Sequence, residues 1–390
     1  MDPRRNPFAP GAGTPPPELA GRDELIERAA IALDRIRTGK AARSIVLYGL
    51  RGVGKTVLLN RIRAEAEARG FLSISIETPE DRSLPAVLVP ALRSALIKLS
   101  RGAAMKSGLR RAFAALSGFT KALKIKYGDI EVSMENLPEL GLADSGDLDS
   151  DLADLLSAVG AAAKEDDSAA VIFIDELQYV EEAQFAALIA ALHRANQDQL
   201  PVTLVGAGLP QLVGLSGRAK SYAERLFEFV AVDRLSEDAA RFALTEPIKK
   251  EGAAIEDAAV AEILKQTSCY PYFLQEWGKH SWDIADKSPI EKNDSMAATA
   301  SALAELDASF FRVRFDRLTP SEKNYVRAMA ELGPGPHRSG DVSDRLGRKV
   351  NEVAPVRASL IKKGMVFSPS HGDIAFTVPL FDGFVRRTMG

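Results

Sequence analysis

The eight residues Gly49-Leu50-Arg51-Gly52-Val53-Gly54-Lys55-Thr56 have the composition of a loop that encloses a polyphosphate. Glycine at 49, 52 and 54 lets the backbone turn inward, so that successive N–H groups face the phosphates with the positive end of a following helix beneath them. Lys55 is spaced to contact the β- and γ-phosphates, the Thr56 hydroxyl to hold Mg²⁺, and Val57 to carry the site into the helix. A second cluster, Val171-Ile-Phe-Ile-Asp175-Glu176, is an apolar run that ends in two acids. On a strand it would set both carboxylates at the C-terminal edge of a sheet. There Asp175 can orient Mg²⁺ through water, and Glu176 can polarise the attacking water as catalytic base. The chemistry expected is binding of ATP and its slow hydrolysis to ADP and phosphate.

These residues need a parallel sheet to hold them, and the flanking pattern supplies one. Leu25, Ile26, Ala29, Ala30, Leu33 and Ile36 recur at helical spacing between Arg22 and Arg37, and Ser44-Ile-Val-Leu-Tyr48 reads as a buried strand. A helix from Thr56 to Arg69 closes at Gly70, and a strand follows at Phe71–Ile76. Val171–Ile174, Val202–Val205 and a weaker run at Phe229–Val232 continue the alternation, which predicts a doubly wound α/β fold. The six prolines at 3, 7, 10, 15, 16 and 17 predict an extended N-terminal segment over residues 1–17. Beyond about residue 233 the pattern turns helical, with helices expected at 239–245, 257–267, 272–285 and 296–315 and a loop at 287–294.

A segment of about 100–160 departs from the alternation. Residues 101–126 carry Arg101, Lys106, Arg110, Arg111, Lys121, Lys124 and Lys126 and no acid, whereas 129–154 carry nine acids and no base. Either the halves neutralise each other or the basic half meets a polyanion. The alternation around Gly128-Asp129 over residues 124–132 predicts a hairpin.

From Leu318 the spacing predicts a winged helix, with helices at 321–332, 339–346 and 355–363 and a β-wing at 365–378. Ser321 and Ser339 are the expected N-caps, Pro355 belongs in a first turn, and Gly364 closes the third helix. Eleven basic and seven acidic residues leave +4 on residues 318–390 of a chain whose net charge is −3. Arg348, Lys349, Arg357, Lys362 and Lys363 are the candidate phosphate contacts if the third helix enters a major groove. The same module can instead dock protein.

Together the phosphate loop, Ile174-Asp-Glu-Leu-Gln-Tyr179 and Glu18-Leu-Ala-Gly-Arg22-Asp-Glu-Leu25 resemble the AAA+ ATPases of the origin-recognition and initiator type and their STAND and archaeal-ATPase relatives. The resemblance runs from about residue 14 to the end. It implies a P-loop NTPase domain at 18–232, a helical lid at 233–315 and a winged helix at 316–390. It also implies that a further strand separates the phosphate-loop strand from the Asp175 strand, and that adenine lies between the lid and residues Leu19, Gly21 and Arg22. Arg225 falls in the segment that resembles an arginine finger; it either reaches a neighbouring copy's γ-phosphate in a nucleotide-dependent homo-oligomer or serves an ion pair of the fold. Cys269-Tyr-Pro271 stands where the STAND-like proteins carry Gly-x-Pro, which assigns Pro271 to the adenine. The strand at 202–205 lacks a polar sensor at its tip, and no sensor-2 arginine is evident in the lid. Two uses of ATP follow from the resemblance. One is assembly on duplex DNA; the other is a signalling switch that docks a partner protein.

Bulk properties narrow the setting. A chain of 390 residues with 46% apolar and 26% charged residues has enough burial for two or three domains. One cysteine excludes an internal disulfide, and four scattered histidines offer no metal-ligand spacing. The charged N-terminus does not read as a secretory signal, and no stretch is apolar enough to span a bilayer; a cytoplasmic protein without membrane contact is expected.

Overall fold

The computed structural model describes residues 1–11, 13–100, 106–123 and 142–390. Five strands, β1 (Ser44–Tyr48), β2 (Leu72–Glu77), β3 (Ala170–Asp175), β4 (Val202–Gly208) and β5 (Phe227–Ala231), form one sheet in the order β2-β3-β4-β1-β5. All neighbours are parallel, with Val46 opposite both Gly206 and Phe229 and Ile174 opposite Gly206. β4 thus separates the phosphate-loop strand from the Asp175 strand, as the resemblance implies. The strands are apolar runs because both of their faces are covered. Along β3, Val171 and Phe173 point into one core, while Ala170, Ile172 and Ile174 point into the other.

The first core is built with α1 (Asp23–Arg37) and α2 (Lys55–Ala68), and the second with α3 (Leu84–Ser100), α4 (Ser107–Ala122), α5 (Leu148–Glu165), α6 (Glu182–Gln197), α7 (Leu212–Ala219) and α8 (Ala223–Leu226). The irregular segment therefore contains helices packed on the sheet, and its expected hairpin at 124–132 lies outside the described residues. Among the described residues of its charged halves, Lys106 pairs with Asp166, Asp149 with Lys220 and Asp154 with Arg194.

A helical region follows: α9 (Glu237–Lys250), α10 (Asp257–Thr267), α11 (Pro271–Ile284) and α12 (Lys292–Leu306), then a π-helical turn (Asp307–Phe311) and α13 (Arg312–Asp316). The loop expected at 287–294 is shorter than predicted, because Glu291 and Asp294 form a capping box that starts α12 at Lys292. The N-terminal segment has one short turn at Pro3–Arg5 and lies along α11, where Phe8 packs onto Gly278 and the Trp282 indole donates to the Asp2 carbonyl at 2.9 Å.

The C-terminal region consists of α14 (Pro320–Glu331), β6 (His337–Arg338), α15 (Ser339–Arg345), α16 (Val350–Lys362), β7 (Val366–Phe367), β8 (Asp373–Phe376) and α17 (Phe381–Met389), with an antiparallel sheet in the order β6-β8-β7. Three expectations fail here. The cap of α14 is Thr319, whose hydroxyl accepts the Glu322 N–H while the Glu322 carboxylate accepts the Thr319 N–H, so Ser321 lies two residues past the cap, inside the helix. Ser339 is the first residue of α15, capped by Arg338, and its hydroxyl donates to the Gly372 carbonyl at 2.8 Å. α16 begins at Val350, which places Pro355 in its second turn. Aromatic packing joins this region to α13 and the π turn, with Phe311 and Phe315 against Phe381 and Phe384. Tyr325, Phe381 and Phe384 belong to the same continuous core as Leu58 and Phe173. Among the described residues, no helix is long and apolar enough to cross a membrane.

Candidate functional site

The loop between β1 and α2 is shaped by local contacts. Gly49 donates its N–H to the Gly208 carbonyl at 3.2 Å, and a Cβ on it would lie 2.0 Å from the Val232 oxygen, so no side chain fits. Gly54 caps α2 with φ +91°, a left-handed conformation that glycine adopts without strain. The Lys55 side chain curls back along the loop, where Nζ donates to the Gly49 carbonyl at 3.0 Å and the Leu50 carbonyl at 2.8 Å. Burial lowers its pKa to about 8, the charge of Arg51 acts in the same direction, and Glu176 and Asp175 oppose both.

β3 delivers the acids. Asp175 is buried, which raises its pKa, while the Thr56 hydroxyl and the Glu176 N–H donate to its carboxylate and oppose the rise. The pairing of one hydroxyl with one carboxylate suits Mg²⁺, which keeps several waters and takes few protein ligands. Glu176 turns sharply at the strand end (φ 52°, ψ 38°), a left-handed conformation that costs a non-glycine residue energy and re-aims its side chain. One of its carboxylate oxygens lies 3.6 Å from the Arg51 guanidinium, and the other accepts from the Gln178 amide.

A cavity of about 650 Å³ joins these groups. Arg51, Gly52, Val53, Gly54, Lys55, Thr56, Val57, Asp175 and Glu176 line it, with Leu19, Leu235, Pro271 and Leu274 as apolar lining and Arg22 as a further charged group. Two expected nucleotide contacts, Gly49 and Leu50, serve as acceptors for Lys55. Gly21 packs against Ala239 of α9, since a Cβ on it would lie 2.8 Å from that side chain. The buried Arg22 donates to the Val53 carbonyl at 3.3 Å and to the Asp233 carbonyl, which ties the phosphate loop to the start of the helical region. The turn before Pro271 keeps the geometry of the missing glycine, because Ser268 (φ 49°) and Cys269 (φ 59°) are both left-handed.

Several lining groups were not foreseen. The N-terminal segment contributes Pro10, Gly13, Thr14 and Pro16, and no local signal marked them. Arg314 of α13 also lines the cavity, which corrects the expectation that this region lacks an arginine for the site. It lies 4.0 Å over the Phe310 ring, which stacks on Tyr272 at 4.5 Å. Burial, then the charge of Arg51, lowers its pKa to about 10. Arg225 takes no part in this cavity; with Arg28, Arg35 and Arg43 it lines a groove of about 450 Å³.

The loop apex is held from two further regions. The Tyr270 hydroxyl donates to the Arg51 carbonyl and the Tyr272 N–H to the Gly52 carbonyl at 3.1 Å. From the C-terminal region, the Thr377 carbonyl accepts the Arg51 N–H at 3.1 Å, and the Gly364 carbonyl accepts from Arg51 Nε at 3.4 Å. Arg51 Nη2 also donates to the Tyr179 hydroxyl at 2.7 Å. The candidate nucleic-acid residues divide. Arg357 donates to the Ser368 hydroxyl at 2.9 Å and pins the β7–β8 turn, and Lys363 holds Glu322 at 2.7 Å. Arg348, Lys349 and Lys362 are exposed, with Arg348 3.5 Å from Glu352.

Comparison with known families matches residues 18–205 to the AAA ATPase domain and residues 308–385 to a domain of unknown function, DUF8462. No curated protein matches. Among solved structures, the fold is similar to that of the Walker-type ATPase PABY2304 of Pyrococcus abyssi, with 16% identity over 96% of this chain and 97% of that one and a TM-score of 0.61. Looser similarity, at a TM-score of 0.47 and 15% identity over 98% of this chain and 96% of the other, reaches the Aeropyrum pernix Orc1 protein in complex with DNA.

Proposed function

We propose, for a chain whose residues 18–205 match the AAA ATPase domain, that it binds ATP with Mg²⁺, hydrolyses it slowly and works as a nucleotide-dependent switch. The observation that carries this reading is the convergence of Lys55, Thr56, Asp175 and Glu176 on one cavity with an apolar side large enough for a base. Main-chain N–H groups of residues 52–56 and the Lys55 ammonium bind the phosphates, while Leu19, Pro271 and Leu274 take the adenine. Held by Thr56 and, through water, by Asp175, Mg²⁺ would neutralise charge on the phosphate oxygens. Glu176 accepts a proton from water as its oxygen bonds to the γ-phosphorus and the bond to the β-phosphate oxygen breaks, leaving ADP and phosphate. The Glu176→Gln chain should bind ATP with native affinity and turn it over about 10²–10⁴-fold more slowly, the usual contribution of a general base. Equal turnover in a phosphate-release assay would remove Glu176 from that role.

The C-terminal region, read as a winged helix, is seated on the phosphate loop through Gly364 and Thr377, which favours the switch over a permanently DNA-engaged module. Duplex DNA stays as a second reading because Arg348, Lys349 and Lys362 are exposed on a region of charge +4. In that reading Lys349→Glu with Lys362→Glu lowers DNA affinity and flattens its salt dependence in a shift assay. No binding by the native chain, with or without ATP, would leave the module to a protein partner. Arg225, away from its own chain's cavity, fits a role toward a neighbouring copy.

A further inference from the structure

Arg51 is the one residue of the phosphate loop whose side chain bonds to both the turn that follows β3 and the C-terminal region. Its guanidinium meets the Glu176 carboxylate, the Tyr179 hydroxyl and the Gly364 carbonyl, and its N–H meets the Thr377 carbonyl. Gly364 ends α16 in a left-handed conformation (φ 63°), and a Cβ on it would lie 2.8 Å from Arg51 Nη2. Two residues hold this seat in place from outside the cavity. Glu80, beyond the end of β2, pairs with Arg317 at 2.6 Å, and Lys363 donates to the Arg317 carbonyl at 3.1 Å. One oxygen of Glu176 lies 3.6 Å from the Arg51 guanidinium and the other accepts from the Gln178 amide, so these two groups set the orientation of the carboxylate. Arg51 also lines the cavity, as do Lys55, Arg314 and Arg22.

We propose that Arg51 is a positioning residue that exchanges partners with nucleotide state: its side chain holds Glu176 and the Gly364 end of the C-terminal region together until a γ-phosphate draws it away, which lets Glu176 reorient and loosens the C-terminal region around its main-chain contact at Thr377. A guanidinium binds a phosphate dianion more strongly than a carboxylate 3.6 Å away, a carbonyl at 3.4 Å and a neutral hydroxyl at 2.7 Å, because two parallel hydrogen bonds to the doubly charged group replace contacts that are neutral or more distant. ADP lacks the group that competes, so ADP leaves the seat closed. Hydrolysis and loosening of the C-terminal region then share one trigger. The inference rests on the ATPase reading above and adds how that site is regulated.

The test uses the full chain, with hydrogen exchange of residues 363–378 as a readout separate from turnover. A non-hydrolysable ATP analogue should raise exchange in this segment severalfold over the ADP-bound chain. Tyr179→Phe removes one partner of Arg51, and Glu80→Gln removes the outer ion pair; neither residue lines the cavity. Each variant should raise exchange without nucleotide and raise kcat severalfold with KM for ATP unchanged. Equal exchange in ADP and in the analogue, or variants with native exchange and kcat, would overturn the proposal. If Tyr179→Phe does not fold, Glu80→Gln carries the test alone. Absence of ATP binding by the native chain in calorimetry would instead remove the ATPase reading, so the two failures are distinguishable.

Discussion

The phosphate loop and the C-terminal region meet at Arg51 through different kinds of group. On the loop side the contacts depend on side-chain type: an ammonium at Lys55, a hydroxyl at Thr56, carboxylates at Asp175 and Glu176, and glycine where the Val232 oxygen leaves no room for a Cβ. On the C-terminal side the contacts to Arg51 are main-chain carbonyls of Gly364 and Thr377, which almost any sequence would present. Chemistry that needs a particular functional group leaves a trace in residue identity, whereas docking through backbone leaves almost none.

The largest expected effect lies on the loop side. Lys55→Ala removes a buried cation aimed at the phosphates and should cost about 2–5 kcal/mol of ATP binding, a loss of roughly thirtyfold or more by calorimetry. A variant that kept native affinity would break the contrast, since the loop would then bind through backbone as well. A smaller effect follows from the same ammonium. With a pKa of about 8, Lys55 loses its proton as pH rises through that value, and ATP affinity should fall by up to about tenfold per pH unit above it. In Lys55→Ala this slope should vanish. The linkage to folding has the opposite sign: between about 8 and the model-peptide value of 10.5 the unfolded chain binds more protons than the folded one, so this group's contribution to stability rises with pH across that window. The smallest effect belongs to the C-terminal side. Thr319→Ala removes the cap of α14 and should lower stability by about 0.5–2 kcal/mol in thermal unfolding, with ATP affinity unchanged. A change in ATP affinity would mean that the two regions are coupled more tightly than the contacts at Arg51 imply.

How legible each part was follows the same division. Strands β1 and β3 were readable to within a residue, because a strand covered on both faces must be an unbroken apolar run and here each run ends at the site. Caps were less legible. Thr319, Ser321 and Ser339 are all competent to cap, and the choice depended on where Glu322 could reach back and on the Gly372 carbonyl that occupies the Ser339 hydroxyl. Pro355 was misplaced because its tolerance in a second turn depends on the helix around it, and Val350 to Ala354 carried no clear start signal. Arg314 was missed for a different reason. It lies after a π-helical turn that follows α12, and its route to the cavity is set by the stack of Phe310 on Tyr272, residues that are remote in the chain.

The amino-acid sequence by itself determined the phosphate loop, the two acids opposite it and the order of strands and helices that brings them to one sheet edge, because glycine, ammonium, hydroxyl and carboxylate at those spacings have few other uses. Only the tertiary structure decided that Ala9, Pro10, Gly11, Gly13, Thr14 and Pro16 wall the cavity, that Arg314 faces it, and that the C-terminal region is seated on Arg51. Those contacts depend on packing between distant aromatic rings and on backbone carbonyls, and neither is written in the identity of neighbouring residues.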